Sequence, residues 1–317
     1  MGLAKRHYDL FDVTHRVGNA QHLFVPPYQK TLKQSVSCSG IGVHSGQNAS
    51  LTFHAASEGT GIVFLRGDLS QREDDFIFAH VRDVVDTSFC TTLSNAKGHR
   101  ARTVEHVLAA FRGYGIHNAI VELHGEEVPI MDGSAAPFVT MIESSGIKTQ
   151  ESIVPILEIQ KPIQVSYGDS RAMLIPDDHF HLNMTFNAGR RLNNLSWTLD
   201  FDPEDTSFRD HLASARTFGF YEDAEKLWAA GLAQGTSLDN TIVFQDGALL
   251  NKAGLRFQDE LVRHKVLDAL GDLALLGHPI KGKFIGVNSG HTLHFKLMEA
   301  LLRDTTAYRV IDEHPYS

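Results

Sequence analysis

Two short segments, more than 150 residues apart, constrain this chain more than anything else in it. Val107–Phe111 reads VLAAF and Val266–Leu270 reads VLDAL, three identities in five, and this register places Glu105-His106 over His264-Lys265. Both segments lack Gly and Pro and are rich in straight-chain formers, so both read as helices. A repeat of this kind predicts a duplicated chain of two related halves. Such halves bury their faces most simply by packing helix against helix.

The second segment also carries chemistry. Residues four apart share one face of a helix, so His264, Asp268 and Asp272 form one polar column while Val266, Leu267 and Leu270 point elsewhere. An imidazole one turn from a carboxylate can close on a divalent ion, since both project from one rigid rod. Alone, His-x-x-x-Asp describes a solvated helix face equally well. If the two helices meet, His106 joins His264 and Asp268, giving three protein ligands and an open position for water. Glu105, next to a ligand, is then the candidate general base.

Length agrees with duplication, because 317 residues exceed what one core usually serves. The expected division is 1–28 as a poorly ordered N-terminal extension, 29–150 as a first α+β domain and 151–317 as a second. A formal charge of -9 argues against a general nucleic-acid binder. Only Cys38 and Cys90 are present, too few for a disulfide framework, which points to a reducing, cytoplasmic setting. Residues 1 to 28 hold no apolar run long enough for a signal peptide or membrane span, so no stable membrane insertion is expected. His7, His15 and His22 in that arm receive no role.

Along the chain, Gly40–Gly46 reads as a hairpin turn before the alternating Ala49–His54. Gly59–Phe64, Phe76–Val85 and Asn118–Leu123 read as strands, and Thr103 as the N-cap of a helix running to Gly113. Asp132 in Met-Asp-Gly-Ser should satisfy loop amides, a helix follows to Ser145, and Ile147–Pro155 reads as a linker. The second half repeats strands first and helix late. It adds Ala215–Phe220, a helix at Ala224–Ala230, strands at Thr241–Phe244 and Lys283–Val287, and a final helix at Thr292–Leu302. No parallel βαβ alternation is visible, so the fold class is α+β: two related sheets, each with helices on one face, the helices packed together around the site.

Five segments in order, TVEHVLAA (103–110), PIMDGSAAPFV (129–139), ARTFGF (215–220), RHKVLDALGDL (263–273) and SGH (289–291), resemble UDP-3-O-acyl-N-acetylglucosamine deacetylase, the zinc enzyme that commits precursors to lipid A. The likeness runs from about residue 30 to the C-terminus. It implies metal ligands at His106, His264 and Asp268, a general base at Glu105, and a cationic or proton-donating His291 oriented by Asp272. It further implies that Thr217 helps bind an oxyanion and Lys265 is a cation near the substrate. Zinc is the implied cofactor, with Fe²⁺ as the substitute, and UDP-3-O-acyl-N-acetylglucosamine the partner of a monomeric enzyme. Where some members carry a basic residue before Ser-Gly-His, this chain has Asn288.

Five residues have two readings each. His44 touches substrate or caps its turn, and Phe218 and Phe220 line an acyl channel or belong to the core. Phe186 stacks on uracil or packs, and Lys265 reaches a phosphate or snorkels to water. A different class of function also fits two histidines and a carboxylate, namely the facial triad of non-haem iron oxygenases. Those ligands usually sit on strands, whereas these fall on helices. A non-catalytic metal-bound module would leave Glu105, Asp272 and His291 without purpose.

Overall fold

A computed structural model describes residues 28–69, 75–203 and 206–312. The expected N-terminal arm, with His7, His15 and His22, lies outside these residues, except that Tyr28 already opens the first strand. The first half runs β1 (Tyr28–Leu32), the hairpin β2 (Val36–Ile41) and β3 (Asn48–Ala55), β4 (Ile62–Arg66), β5 (Ile77–Phe78) and a small patch of β6 (Val84–Asp86), β7 (Thr92–Ser94) and β8 (Arg100–Arg102). Helix α1 (Glu105–Gly113), β9 (Ala119–His124) and α2 (Ala136–Ser145) complete it.

The second half begins with β10 (Ile147–Ile153) and β11 (Ile156–Ile159), followed by two hairpins, β12 (Ile163–Tyr167) with β13 (Ser170–Ile175) and β14 (Phe180–Asn187) with β15 (Ser196–Phe201). A short α3 (Phe208–His211) leads to an insertion of β16 (Phe218–Phe220), α4 (Ala224–Ala229), β17 (Ile242–Gln245) and β18 (Ala248–Leu249), whose strands form their own sheet. Then come α5 (Glu260–Leu273), β19 (Ile280–Val287), α6 (His291–Arg303) and β20 (Tyr308–Ile311).

Duplication is written in the sheet topology. The order β2-β3-β9-β4-β5 recurs as β12-β13-β19-β14-β15, with matching strand senses throughout. In each set of five the last strand to be reached in sequence inserts between two hairpins, antiparallel to one and parallel to the other. The α+β class holds, but each five-strand set therefore contains one parallel pair that strand order in the sequence did not announce, β4 with β9 and β14 with β19, and β11 adds a second parallel neighbour to β19. The crossovers carry α1 and α5, so both helices return across the same face of their sheets.

Alternation explains which faces are covered. In β3, Ala49, Leu51 and Phe53 are buried while their neighbours are not, and in β14 the same holds for Phe180, Leu182 and Met184. The Phe53 ring lies 4.7 Å from that of Phe111 on α1 and 6.2 Å from that of Phe138 on α2, pinning both helices to the first sheet. Helix α1 is buried from Glu105 to Phe111, as a helix apolar nearly all round must be. Its second neighbour is α5. At their crossing a side chain on Gly271 would place its Cβ 2.0 Å from the Glu105 carbonyl oxygen, so only glycine permits this approach.

Two local expectations are corrected. Thr103 is not an N-cap: the residue before α1 is Val104, without a side-chain cap bond, and Thr103 itself is left-handed (φ 56°) with its hydroxyl donating to Glu127 Oε1 at 3.0 Å. Ile147–Pro155 is no linker through most of its length, because β10 pairs antiparallel with β1 from Leu32↔Ile147 to Tyr28↔Ile153. A two-stranded ribbon leaves both faces half open, so β10 shows the polar composition of a loop. Asp132 behaves as expected, its Oδ1 accepting from the Ser134 amide and hydroxyl.

Candidate metal centre and active-site cavity

His106 on α1 meets His264 and Asp268 on α5, all three buried. Asp268 Oδ1 lies 3.3 Å from His264 Nε2 and 3.8 Å from His106 Nε2, and the two imidazole rings stand edge to face at 5.0 Å. His264 Nδ1–H donates to the Ala215 carbonyl at 3.0 Å, which turns the bare Nε2 lone pair toward the other two. Burial and the neighbouring His264 push His106 down to about 3, so it stays a neutral, ligand-ready imidazole. Burial opposes ionisation of Asp268, but His264 and Lys265 outweigh it and hold the carboxyl well below its usual range. Two neutral imidazoles and a carboxylate converging in a buried pocket are a donor set that suits a divalent transition ion.

A second line of charge runs beside the trio. Asp272 Oδ2 accepts from His291 Nδ1–H at 2.8 Å and from His294 Nδ1–H at 2.7 Å, while Oδ1 accepts from the Thr91 hydroxyl at 2.7 Å. That arrangement directs His291 Nε2 to within 3.8 Å of Glu105 Oε1. Burial alone would lower the His291 pKa, yet Asp272 and then Glu105 raise it to about 10. Burial moves Glu105 the other way for a carboxyl, up to about 7, with Asp272 and Asp268 adding and His291 opposing. One carboxyl poised near neutrality and one imidazole kept cationic thus face each other.

Both groups open on a cavity of about 580 Å³. Thr217, Phe218, Lys265, Phe186 and His44 line it together with His106, His264, Asp268, Glu105 and His291, whereas Asp272 sits behind His291. Lys265 reaches inward: its Nζ donates to Asp268 Oδ2 at 3.0 Å and lies 5.6 Å above the Phe218 ring. Phe186 stands 5.2 Å from Phe218 and stacks on Trp197 at 6.3 Å. His44 is buried, its amide held by Glu127 Oε1 at 2.9 Å rather than its ring capping the turn. Phe220, Leu227, Trp228, Leu238 and Val243 make the far wall apolar.

The ARTFGF segment works residue by residue. Ala215 orients His264, Thr217 is pinned by its amide on the Gly133 carbonyl (2.8 Å), and the Phe218 ring lies 6.3 Å from that of His264. Arg216 anchors the whole, with Nε and Nη2 donating to the two carboxylate oxygens of the fully buried Glu260 at 2.9 and 3.1 Å. A side chain at Gly133 would strike the Asn240 carbonyl at 1.9 Å, which explains the glycine of PIMDGS. Asn288 has a structural place: at φ 48°, which asparagine tolerates, its Oδ1 accepts from the Asn187 amide at 2.7 Å.

Sequence reasoning missed Thr91, Glu127, Glu260 and His294. Thr91 serves two sites at once, its amide donating to Glu105 Oε2 at 3.1 Å and its hydroxyl to Asp272. Glu127 binds the amides of His44 and Ser45 and the Thr103 hydroxyl. Neither stands out in sequence, since each is one polar residue whose partners lie far along the chain. Only His294 left a signal, as a histidine on the apolar side of a helix.

The chain is similar to known proteins over most of its length. The family model of UDP-3-O-acyl N-acetylglycosamine deacetylase (LpxC) matches residues 29–303. Proteins named UDP-3-O-acyl-N-acetylglucosamine deacetylase are similar over nearly the whole chain. That of Myxococcus xanthus is 45% identical over 284 residues, 89% of each protein; that of Actinobacillus succinogenes is 44% identical, covering 88% of this chain and 92% of its own. A Neisseria meningitidis relative is 41% identical with the same coverage. Nothing in these matches supports the iron-oxygenase alternative. Matched across its length by that family model and by these relatives, the chain belongs to the UDP-3-O-acyl-N-acetylglucosamine deacetylase family, a family of metal-dependent amide hydrolases.

Proposed function

We propose that this enzyme hydrolyses the acetamide of UDP-3-O-(3-hydroxyacyl)-N-acetylglucosamine to the free amine and acetate in lipid A biosynthesis, with zinc held by His106, His264 and Asp268. The observation that carries the reading is the placing of Glu105 and His291 on either side of the approach to that trio, inside a largely apolar cavity. Zinc, when bound, lowers the pKa of coordinated water to about 7 and polarises an acyl oxygen.

The remaining work falls to the chain. An acetamide resists attack because its carbonyl is a poor electrophile and its amine a poor leaving group. Glu105, with a pKa near neutrality, takes the proton from the attacking water. Negative charge then grows on the former carbonyl oxygen, where the Thr217 hydroxyl and the His291 cation stabilise it, a contribution of about 3 kcal/mol per well-placed donor. His291, kept protonated by Asp272, gives the leaving amine its proton. Two titratable groups whose surroundings drive their pKa values apart are the pattern expected of a base and an acid working in one site.

Substrate binding is divided along the cavity. The apolar wall of Phe220, Leu227, Trp228 and Leu238 accommodates the acyl chain, and Lys265, Phe186, Phe218 and His44 serve the sugar nucleotide. Residues 29–150 and 151–317 are the two domains of this reading, a boundary that falls within β10, with the site lying between their facing helices. No described helix is long and apolar enough to cross a membrane. We infer a monomeric enzyme of the cytoplasm; the free thiols at Cys38 and Cys90 and a sugar-nucleotide substrate support the cytoplasmic setting. Anaerobic incubation of the zinc-loaded protein with UDP-3-O-acyl-N-acetylglucosamine tests the proposal. Stoichiometric acetate is expected; intact acetamide under those conditions, in protein that holds its metal, would overturn it.

A further inference from the structure

Away from the cavity, the turn into β14 carries Asp177-Asp178-His179-Phe180-His181, and Asp177, His179 and His181 direct their side-chain donor atoms to one another within 4.8 Å. We propose that these three residues form a second binding site, for a divalent transition-metal ion, distinct from the active site. Phe186 on the same strand lines the catalytic cavity, and at about 3.3 Å per residue His181 lies roughly 16 Å from it.

The donors are arranged as ligands rather than as ion pairs. His179 Nε2–H donates to Asp202 Oδ2 at 2.8 Å, which leaves the Nδ1 lone pair facing Asp177 Oδ1 at 4.0 Å. A carboxylate behind an imidazole, fixing its tautomer, is the usual support of a metal-bound histidine. Asp177 Oδ1 also accepts from the Asp178 amide at 2.7 Å, so this carboxylate is fixed as well, and its Oδ2 lies 3.9 Å from His181 Nε2. Neither ring nitrogen of His181 makes a hydrogen bond among the described residues, although the side chain is only 12% exposed and its Nδ1 is fully buried. The nearby cation, Lys283, lies 3.6 Å from Asp200, outside the trio.

The catalytic trio supplies the scale for these distances. Its imidazoles stand 3.3 and 3.8 Å from one oxygen of Asp268 and those of the second cluster 4.0 and 3.9 Å from the two oxygens of Asp177, so an ion there would sit against both oxygens, with the imidazoles closing by a few tenths of an ångström more. Two imidazoles and one carboxylate select zinc, nickel or copper over magnesium or calcium, which prefer all-oxygen shells. Partial exposure makes this the weaker of the two sites. An ion there would tie the turn at Asp177–His179 to β14 and, through Asp202, to β15.

Equilibrium dialysis of the metal-stripped, full-length protein against Zn²⁺, with bound zinc counted by elemental analysis, tests this. Wild type should take up a tight and then a weaker equivalent, and the His179→Gln, His181→Gln double variant only the tight one, with its deacetylase rate unchanged as the check on folding. Asp268→Ala should show the converse, losing the tight equivalent and keeping the weaker. Asp202→Asn should weaken the second equivalent roughly 10-fold or more. Uptake of a single equivalent by wild type at millimolar zinc would overturn the proposal. So would a second equivalent that survives the double variant, which would trace it to other histidines such as His7, His15 or His22.

Discussion

Glu105→Gln separates chemistry from stability at the centre of the proposed mechanism. The substitution keeps size and the bond from the Thr91 amide but removes the charge that draws a proton from water. Turnover of the metal-loaded variant should fall by the 10²- to 10⁴-fold typical of a lost general base, with its metal retained because Glu105 is not one of the three ligands. Stability of the metal-free protein should move the other way. Glu105 titrates near 7 when folded against about 4.5 unfolded, because burial penalises the carboxylate. The folded state then holds a proton that the unfolded state has released, so wild-type stability falls as pH rises through that window. The gap of two to three pH units corresponds to about 3 kcal/mol, an upper figure reached above pH 7. Gln carries no such penalty. Melting the two metal-free proteins at about pH 5 and about pH 8 should show the variant gaining on wild type at the higher pH. Were Glu105 merely a favourable charge in the first turn of α1, its loss would instead cost about 0.3 to 1 kcal/mol and leave the rate near normal. Near-wild-type turnover in the metal-loaded variant would refute the mechanism.

Asp268→Ala and His106→Ala should each lose tightly bound metal on dialysis, and retention of one ion at normal affinity would remove that residue from the ligand set. Lys265→Ala should raise KM more than it lowers kcat and, by freeing Asp268 Oδ2, weaken metal binding roughly 10- to 100-fold; an effect confined to kcat would place Lys265 at the reacting centre instead. The kcat/KM profile should be bell-shaped, rising as Glu105 ionises near 7 and falling as His291 deprotonates near 10, both limbs drawn lower by the bound dication, and His291→Gln should abolish the basic limb. The limbs belong to the coupled pair rather than to either residue alone. Gly271→Ala should cost about 1 to 3 kcal/mol in thermal unfolding and loosen the metal, because its methyl drives α5 away from the Glu105 carbonyl; a neutral result would mean the helices cross with room to spare.

The site was legible in sequence where chemistry fell on a regular period. His264, Asp268 and Asp272 sit four apart on a helix, and His106 was placed beside them through the VLAAF/VLDAL repeat, so all four positions followed from spacing and duplication. Thr91, Glu127 and Glu260 were not legible, because each acts through one tertiary contact with no periodic signature. The same distinction governs the fold. Alternating β3 and β9 announced themselves, whereas β10 did not, since a ribbon open on both faces has no buried stripe to reveal it. Parallel pairing of β4 with β9 and of β14 with β19 arises when a late strand is inserted between earlier hairpins, which is a property of topology rather than of any local pattern.

Duplication also explains why the site is asymmetric although the halves share a topology. Each half offers one buried helix to the other, and the contact is close enough that Gly271 must lack a side chain. Helix α1 contributes Glu105 and His106, next to each other in sequence and therefore about 100° apart around the helix, so they cannot both face one point in the same way. One turns to the trio and the other toward His291. Helix α5 contributes His264, Asp268 and Asp272 in a single column, which spreads along the groove instead: the first two meet His106 and the third reaches past them to His291. Two helices with related sequences but different polar spacing thus supply the proposed ligand set at one level and the proposed acid–base pair beside it. Restoring symmetry would destroy this division. Were Asp268 replaced by the alanine that the VLAAF segment carries at the corresponding position, the metal set would fall to two histidines, while Glu105, Asp272 and His291 would keep their bonds with nothing left to act upon.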